Sequence, residues 1–362
     1  MYKIYADRVA IHDTSTRDSQ VIKPELVLED NMAGSLEFTM PVSHPMYGKL
    51  NKLTTWIKVY QESLLIFTGR IIEEKKDFMN NTSYYCEGDL AFLNDTTQPQ
   101  AVYHGISVKS FLEELLNNHN YKVERIKQFN VGVVTVTDSN DSIYRYTNRE
   151  NTLECIKDKL LERLGGHLRV RIDGVTRYLD YLADYPNTNT QVIRFGENLL
   201  DYTEENNLAE IYTVLIPLGA KLETQHIEGL DDYVDITSVN GGRDYLVNDE
   251  AVKKYGWIEH VEHFDDITVP SNLMIKGLEL LSSVNYDEMV LEVSAVDLHD
   301  LDIDTEAIKL LDKIRVVSEV HGLDAYFPVT KISIPLDNPA DKKFTLGVKT
   351  TKSITDKNAI GG

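Results

Sequence analysis

Apolar and polar residues alternate along the first hundred positions with the period of two that marks half-buried strands. Leu36, Phe38 and Met40 alternate with polar partners, and Ile57-Lys-Val59 and Leu64-Leu-Ile-Phe67 supply further short β-rich runs. Gly34, Gly69 and Gly88 fall between or within these runs, as bends in a small barrel require. Polar turns such as Asn80-Asn81 separate the strands.

From about Thr97 the rhythm changes. Ser107 is placed to cap a helix whose apolar face is Val108, Phe111, Leu112 and Leu115. After the β-rich run Val131–Val136, Asn151 and Glu154 form a capping-box pattern for a second helix that Gly165-Gly166 ends. Helical projection puts Leu153, Ile156, Leu160 and Leu164 on one face and Cys155 nearly opposite, either exposed or against a neighbouring domain. His167–Ile172 and Thr176–Tyr181 flank Asp173-Gly174, a hairpin signal. The group predicts an α+β insertion ending near Pro186.

The second half returns to β. Trp56–Tyr60, Phe67 and Gly88 line up with Lys313–Val317, Phe327 and Gly347, with small gaps, which predicts a duplicated barrel. A further insertion, roughly Asn240 to Asn285, holds a helix from Asn248 to Tyr255 closed by Gly256. Another helix follows Pro270 and carries Leu273, Leu280 and Leu281.

At 362 residues the chain is too long for one ordinary core, and 42% hydrophobic with 26% charged residues is a globular composition. No apolar run approaches the roughly 18 residues that span a bilayer. Met1–Arg8 alternates like a strand, so no secretory signal is expected and the chain is read as made and folded in a cytosol. Two cysteines exclude a disulfide scaffold: Cys86 reads as a packed strand thiol, and Cys155 lies beside Glu154 and Asp158, a poor setting for a nucleophile. The net charge of −21 is uneven, with 22 acidic and 5 basic residues between Glu223 and Asp312. Such a surface disfavours DNA binding and suits either a solvated face or the wall of a passage that DNA slides through.

Four segments carry a family likeness. They are Asn198-Leu-Leu-Asp-Tyr202 running to Tyr212-Thr-Val-Leu-Ile-Pro-Leu-Gly-Ala220; Thr237–Tyr245; Tyr255–Ile258 with Phe264–Thr268; and Ile314–Val317 with His321–Leu323. Together they resemble the prophage tail, or tail-associated, family of siphophages, which also bears the label "prophage tail endopeptidase". That family is related in fold to the baseplate hubs of contractile phages. The resemblance implies an α+β, mainly β fold with two similar small β-barrels, each with an α+β insertion. The expected division is 1–97 and 190–222 for the first barrel, 98–189 for its insertion, 223–239 and 286–350 for the second barrel, 240–285 for a smaller insertion, and 351–362 for a polar tail. It further implies a homotrimeric tail-tip hub, a ring of six similar barrels that closes or lines the tail channel. Partners would be a distal tail protein ring, a tape-measure protein and spike or receptor-binding proteins, with no specific nucleic-acid binding.

No catalytic, cofactor-binding or metal residue is assigned, and no enzyme activity or cofactor is expected. Gly347-Val-Lys-Thr350 lacks the adjacent Gly-Lys and the upstream glycine of a phosphate loop. His260-Val-Glu-His263 before Asp265-Asp266 is the best metal candidate, but a zinc site wants further converging ligands. Asp300, Asp302 and Asp304 alternate as calcium ligands do, yet Thr305 and Leu311 stand where glycine and glutamate are required, and Asp138–Ser142 fails the same test at Ile143. Asp304 is read instead as the cap of a short helix through Glu306, Ile308 and Leu311. In longer relatives, wall-cleaving domains lie beyond the hub, and only Lys349 to Gly362 follow it in this sequence. The 20 tyrosines read as core and subunit interface. The competing functions are a wall-degrading tail enzyme and the hub of a phage-derived bacteriocin or injection device.

Overall fold

The computed structural model describes residues 2–13, 15–16, 19–138, 145–174, 176–205, 211–223, 227, 229–284, 290–301 and 304–347. The polar tail 351–362 lies outside them, as do Asp302 and most of Asp138–Ser142.

Alternating burial builds the first seven strands. β1 (Tyr2–Ala6) buries Tyr2, Ile4 and Ala6 and turns back as β2 (Val9–Asp13). β3 (Ile22–Glu29) precedes β4 (Ser35–Met40), where Leu36, Phe38 and Met40 point inward as their spacing predicts. β5 (Trp56–Gln61), β6 (Leu64–Lys76) and β7 (Thr82–Gly88) form an antiparallel meander. The spatial order is β3-β4-β7-β6-β5-β1-β2.

The glycines here make room for one ring. Gly69 and Gly88 face each other across β6 and β7. A Cβ on either would meet Phe67, at 2.9 Å from Gly69 and 3.0 Å from Gly88. The same Cβ atoms would collide with the carbonyl oxygens of Glu87 and Ala33 respectively. The pair is thus a close approach of backbone, covered by an aromatic side chain.

The segment between the repeats holds β8 (Ala101–Tyr103), α1 (Val108–Asn120), β9 (Asn130–Val134) and β10 (Arg145–Thr147). It continues with α2 (Thr152–Ile156), a π turn at Lys157–Leu161, α3 (Glu162–Leu164), β11 (His167–Asp173) and β12 (Thr176–Leu182). Ser107 caps α1 by accepting from the Ser110 N–H at 3.1 Å, and Asn151 caps α2 by accepting from the Glu154 N–H at 2.8 Å. β11 and β12 form the expected hairpin, with Gly174 at φ 60° in its turn. Of the two expectations for Cys155, packing against a neighbouring part of the chain is the one observed: it is fully buried in a cluster that includes Phe92, Leu93 and Leu115. A projection onto one apolar face assumes one packing neighbour, whereas α2 packs on α1 and also on the 3-10 turn Asp89–Asp95. The turn Asp89–Asp95 is gripped from both sides, by Arg70 of the first repeat through Asp95 at 2.6 Å and by Arg177 of this segment through Asp89 at 2.7 Å.

β13 (Asn187–Arg194) and β14 (Leu199–Glu205) open the second repeat. A separate compact unit, Glu205–Met289, then intervenes. In it β15 (Val214–Leu218) pairs antiparallel with β16 (Leu246–Val247) and parallel with β17 (Glu259–His263). α4 (Asp249–Tyr255), capped by Asn248 and closed at Gly256, lies between β16 and β17 in sequence, and α5 (Pro270–Ser283) buries Leu273 and Leu281 against Leu215, Ile236 and Leu246. β18 (Val290–Ala295), β19 (Asp312–Ser318), β20 (Leu323–Pro335) and β21 (Lys343–Leu346) complete the repeat, ordered β14-β18-β21-β20-β19-β13.

That order repeats the first with β14, β18, β21, β20, β19 and β13 in the places of β3, β4, β7, β6, β5 and β1. The chain therefore has the duplicated, mainly β fold that its pattern predicts. The repeats differ at the end of the series: β13 runs parallel to β19, whereas β1 runs antiparallel to β5 and carries β2 beyond it. Pairing of β3 with β20 joins both into one 13-stranded sheet.

Three expectations are corrected. Strand pairing puts residues 190–205 in the second repeat rather than the first, and residues 206–239 fall in the separate unit because β15 finds its partners there. Phe67 and Phe327 are not equivalent, since Phe67 faces Val59 while Phe327 faces Ile314, the place Gly69 takes opposite Ile57. No helix follows Asp304 among the described residues; the helical turn is Leu298–Asp300, capped by Asp297. Gly88→Ala should lower stability by roughly 1–3 kcal/mol through overpacking, read as a lower urea midpoint with an unchanged slope.

Candidate functional site

The motifs that suggested chemistry do not converge. His260 and His263 are three residues apart on β17, so their side chains leave opposite faces of the strand. His260 donates from Nε2 to Glu262 at 3.0 Å and stacks on Tyr212, while His263 meets the edge of Tyr233. Among the described residues no three His, Cys, Asp or Glu side chains are grouped to hold a metal. Burial pushes both thiols, Cys86 and Cys155, well above the usual cysteine range, which keeps them protonated.

The acidic stretch holds a different surprise. Asp297 and Asp312 are 1% exposed, so these acids serve the interior and not a surface. Asp312 accepts from Asn189 at 2.9 Å and from the Lys309 N–H at 3.0 Å. Asp297 and Asp300 flank the Nζ of Lys342 at 3.1 and 2.6 Å, and Lys342 is itself 2% exposed. Gln61 donates to Asp300 at 3.0 Å, Gln191 donates to Asp297 at 2.7 Å, and the Lys342 ammonium lies 5.5 Å from the centre of the Tyr2 ring. Desolvation of Lys342 opposes its charge, but Tyr2 and the two carboxylates outweigh it and raise its pKa. Burial raises the Tyr2 hydroxyl from 10.0 to about 12. This cluster draws Tyr2 and Gln61 from the first repeat and the other residues from the second. Sequence pattern gave no sign of it, because its members are scattered from Tyr2 to Lys342.

Two shallow depressions lie on polar sheet faces. One, of about 320 Å³, is lined by Asp201, Glu292, Lys331 and Lys343 of the second repeat; the other, about 370 Å³, by Lys3, Tyr5, Lys58 and Tyr60 of the first. Lys331 is paired with Glu29 at 3.1 Å, and Lys3 with Asp13 at 2.8 Å. Opposite charges neutralise one another across these faces.

The duplicated barrel-like sheet with its inserted α+β unit is a fold found in solved structures. Three solved structures share it along nearly the whole chain. A 43 kDa tail protein of prophage MuSo2 from Shewanella oneidensis aligns with a TM-score of 0.63 and 10% identity, covering 96% of this chain and 97% of that one. Prophage tail protein gp18 from Listeria monocytogenes aligns at 0.58 and 16% identity, covering 98% and 96%. A tail protein from Neisseria meningitidis aligns at 0.62 and 12% identity, covering 96% of each. A fourth, an E. coli component of the type VI secretion system described as similar to T4 tail proteins gp27 and gp5, aligns at 0.50 over 90% of this chain and 72% of that one. No curated protein matches the sequence significantly. Residues 186–358 match the family described as "Prophage endopeptidase tail", and in that segment the chain is similar to the prophage tail proteins.

Lys342→Met should cost roughly 3–5 kcal/mol, because Asp297 and Asp300 are left uncompensated in the interior. Adding Asp297→Asn and Asp300→Asn to that variant should recover much of the loss in the same urea titration. The raised Tyr2 pKa sets a sign at alkaline pH: the unfolded chain releases its proton near 10, the folded chain near 12. Stability from this group is therefore full below pH 10 and lost as pH rises to about 12, by at most about 3 kcal/mol. Tyr2→Phe should flatten that part of the pH–stability curve.

Proposed function

We propose that this chain is a structural virion protein of a phage or prophage tail tip, a homotrimeric hub joining the distal tail ring to spike or receptor-binding parts. The observation that carries the reading is the duplicated strand order within one continuous sheet. A ring closes most simply when adjacent interfaces are alike. With two similar halves per chain, three chains present six near-equivalent contacts and match a sixfold tail tube. Tail proteins from three bacteria with the same fold over at least 96% of this chain support the setting.

In this reading the protein is synthesised in the host cytoplasm and works in the virion. The hub contacts the distal tail ring and the tape-measure protein, and closes or lines a channel that DNA passes through without specific binding. No bond is made or broken; assembly by buried complementary surface is the function. The likeness to a type VI secretion component favours a phage-derived injection device as the alternative home for the same ring.

The word "endopeptidase" in the family description is the one observation favouring a wall-degrading enzyme. Two assays separate the readings. Mixed with its distal tail ring protein, the chain should form a complex containing three copies per ring, measured by light scattering. On purified peptidoglycan in a zymogram it should leave no clearing. Clearing by the purified chain would overturn the structural reading.

A further inference from the structure

The internal duplication leaves one contact made on one side of the chain and unmade on the other. Beyond its bulge at Val329/Lys331, β20 is paired along both edges, by β21 on one and β3 on the other. Leu336, just past the strand, is 1% exposed, and its N–H donates to the Pro24 carbonyl at 2.8 Å. Lys331 pairs with Glu29 at 3.1 Å, and Ser333 donates to Glu25 at 2.6 Å. This seam is how the second repeat holds the first.

The counterpart of β20 is β6. Both are 13 residues long, and both bulge where they meet the last strand of their repeat, at Ile71/Glu73 in β6. Setting bulge on bulge matches Glu73 to Lys331 and Phe78 to Leu336. β7 covers one edge of this stretch as β21 covers that of β20. On the other edge Leu53 donates to the Ile71 carbonyl, and no described strand lies along Glu73–Lys76. All four residues of that stretch are exposed, Phe78 is 99% exposed and Met79 71%. The counterpart of β3, by place in the strand order, is β14. It ends the sheet with no described strand beyond it, and its Leu200 is 59% exposed.

Each chain thus carries both halves of a contact that it cannot make with itself. We propose that β14 of one copy pairs antiparallel with the Glu73–Lys76 edge of β6 in a second copy, seating Phe78 as Leu336 is seated within the chain. The inference rests on the ring-forming reading above and names its interface. Backbone hydrogen bonds supply the adhesion, as in strand addition to any open edge. Charge favours the pairing, since Lys75 and Lys76 approach a strand bearing the exposed Asp201. Because the two edges differ, the contact is head-to-tail, and copies close into a ring when the rotation allows.

The test uses the full chain with exposed-site variants whose folding is checked by circular dichroism. Phe78→Asp and Leu200→Asp should each weaken self-association at least about tenfold, while Tyr121→Ser, at an exposed site of the inserted segment, leaves it unchanged. A mixture of the two aspartate variants should form dimers and nothing larger, because one intact interface remains between them. A photo-crosslinking amino acid at position 78 should join residues 199–205 of another copy. A chain that stays monomeric at millimolar concentration, aspartate variants that associate like the parent, or crosslinks that fall elsewhere would each overturn the edge pairing. If Phe78→Asp still enters the distal-ring complex with three copies per ring, the hub reading stands and this interface does not.

Discussion

The pairing of β3 with β20 is the constraint on which the rest of the sheet depends. It turns two similar six-strand orders into one continuous sheet, and it does so with strands far apart in sequence, Ile22–Glu29 and Leu323–Pro335. Leu26 faces Ile334 and Leu28 faces Ile332 across it. Contacts of such long range are costly to close in entropy. A second link between the repeats is buried: the Lys342 ammonium lies between Asp297 and Asp300 and near the Tyr2 ring, with Gln61 bonded to Asp300. A buried charge of this kind specifies an arrangement more than it stabilises one, because its partners are costly to leave unpaired.

The same economy explains why so much acid appears in one part of the sequence. Asp297, Asp300 and Asp312 act as interior acceptors that hold loops and strand ends of the second repeat. Their backbone and amide partners would otherwise be buried without hydrogen bonds. The run of negative charge is therefore partly an internal scaffold, and its net value overstates how acidic the surface is.

Among the described residues, the groups singled out for chemistry do not converge. The thiols are buried and held protonated, the best histidine pair is split across a strand, and the polar faces carry paired charges. What the chain offers is repetition: two curved halves of like topology and open strand edges at positions that are filled elsewhere in the same chain.

Much of this was legible without coordinates. Period-two burial at Leu36, Phe38 and Met40, the caps Ser107, Asn151 and Asn248, and the stops at Gly165 and Gly256 are local, and local sterics and hydrogen bonding decide them. The duplication was visible through Trp56–Tyr60 and Lys313–Val317, since the same short pairing problem recurs in both. Long-range choices were not legible. Which strand β13 or β14 would join, whether Asp304 would begin a helix, and whether Cys155 would face water all depend on neighbours that the periodicity of one segment does not identify. Cys155 is buried because α2 is covered on two sides, and Lys342 is buried because Tyr2, Asp297 and Asp300 meet there from three separate parts of the chain. Sequence determined the elements and their repetition; tertiary structure alone decided their partners, because pairing energy depends on which edges and charges arrive together.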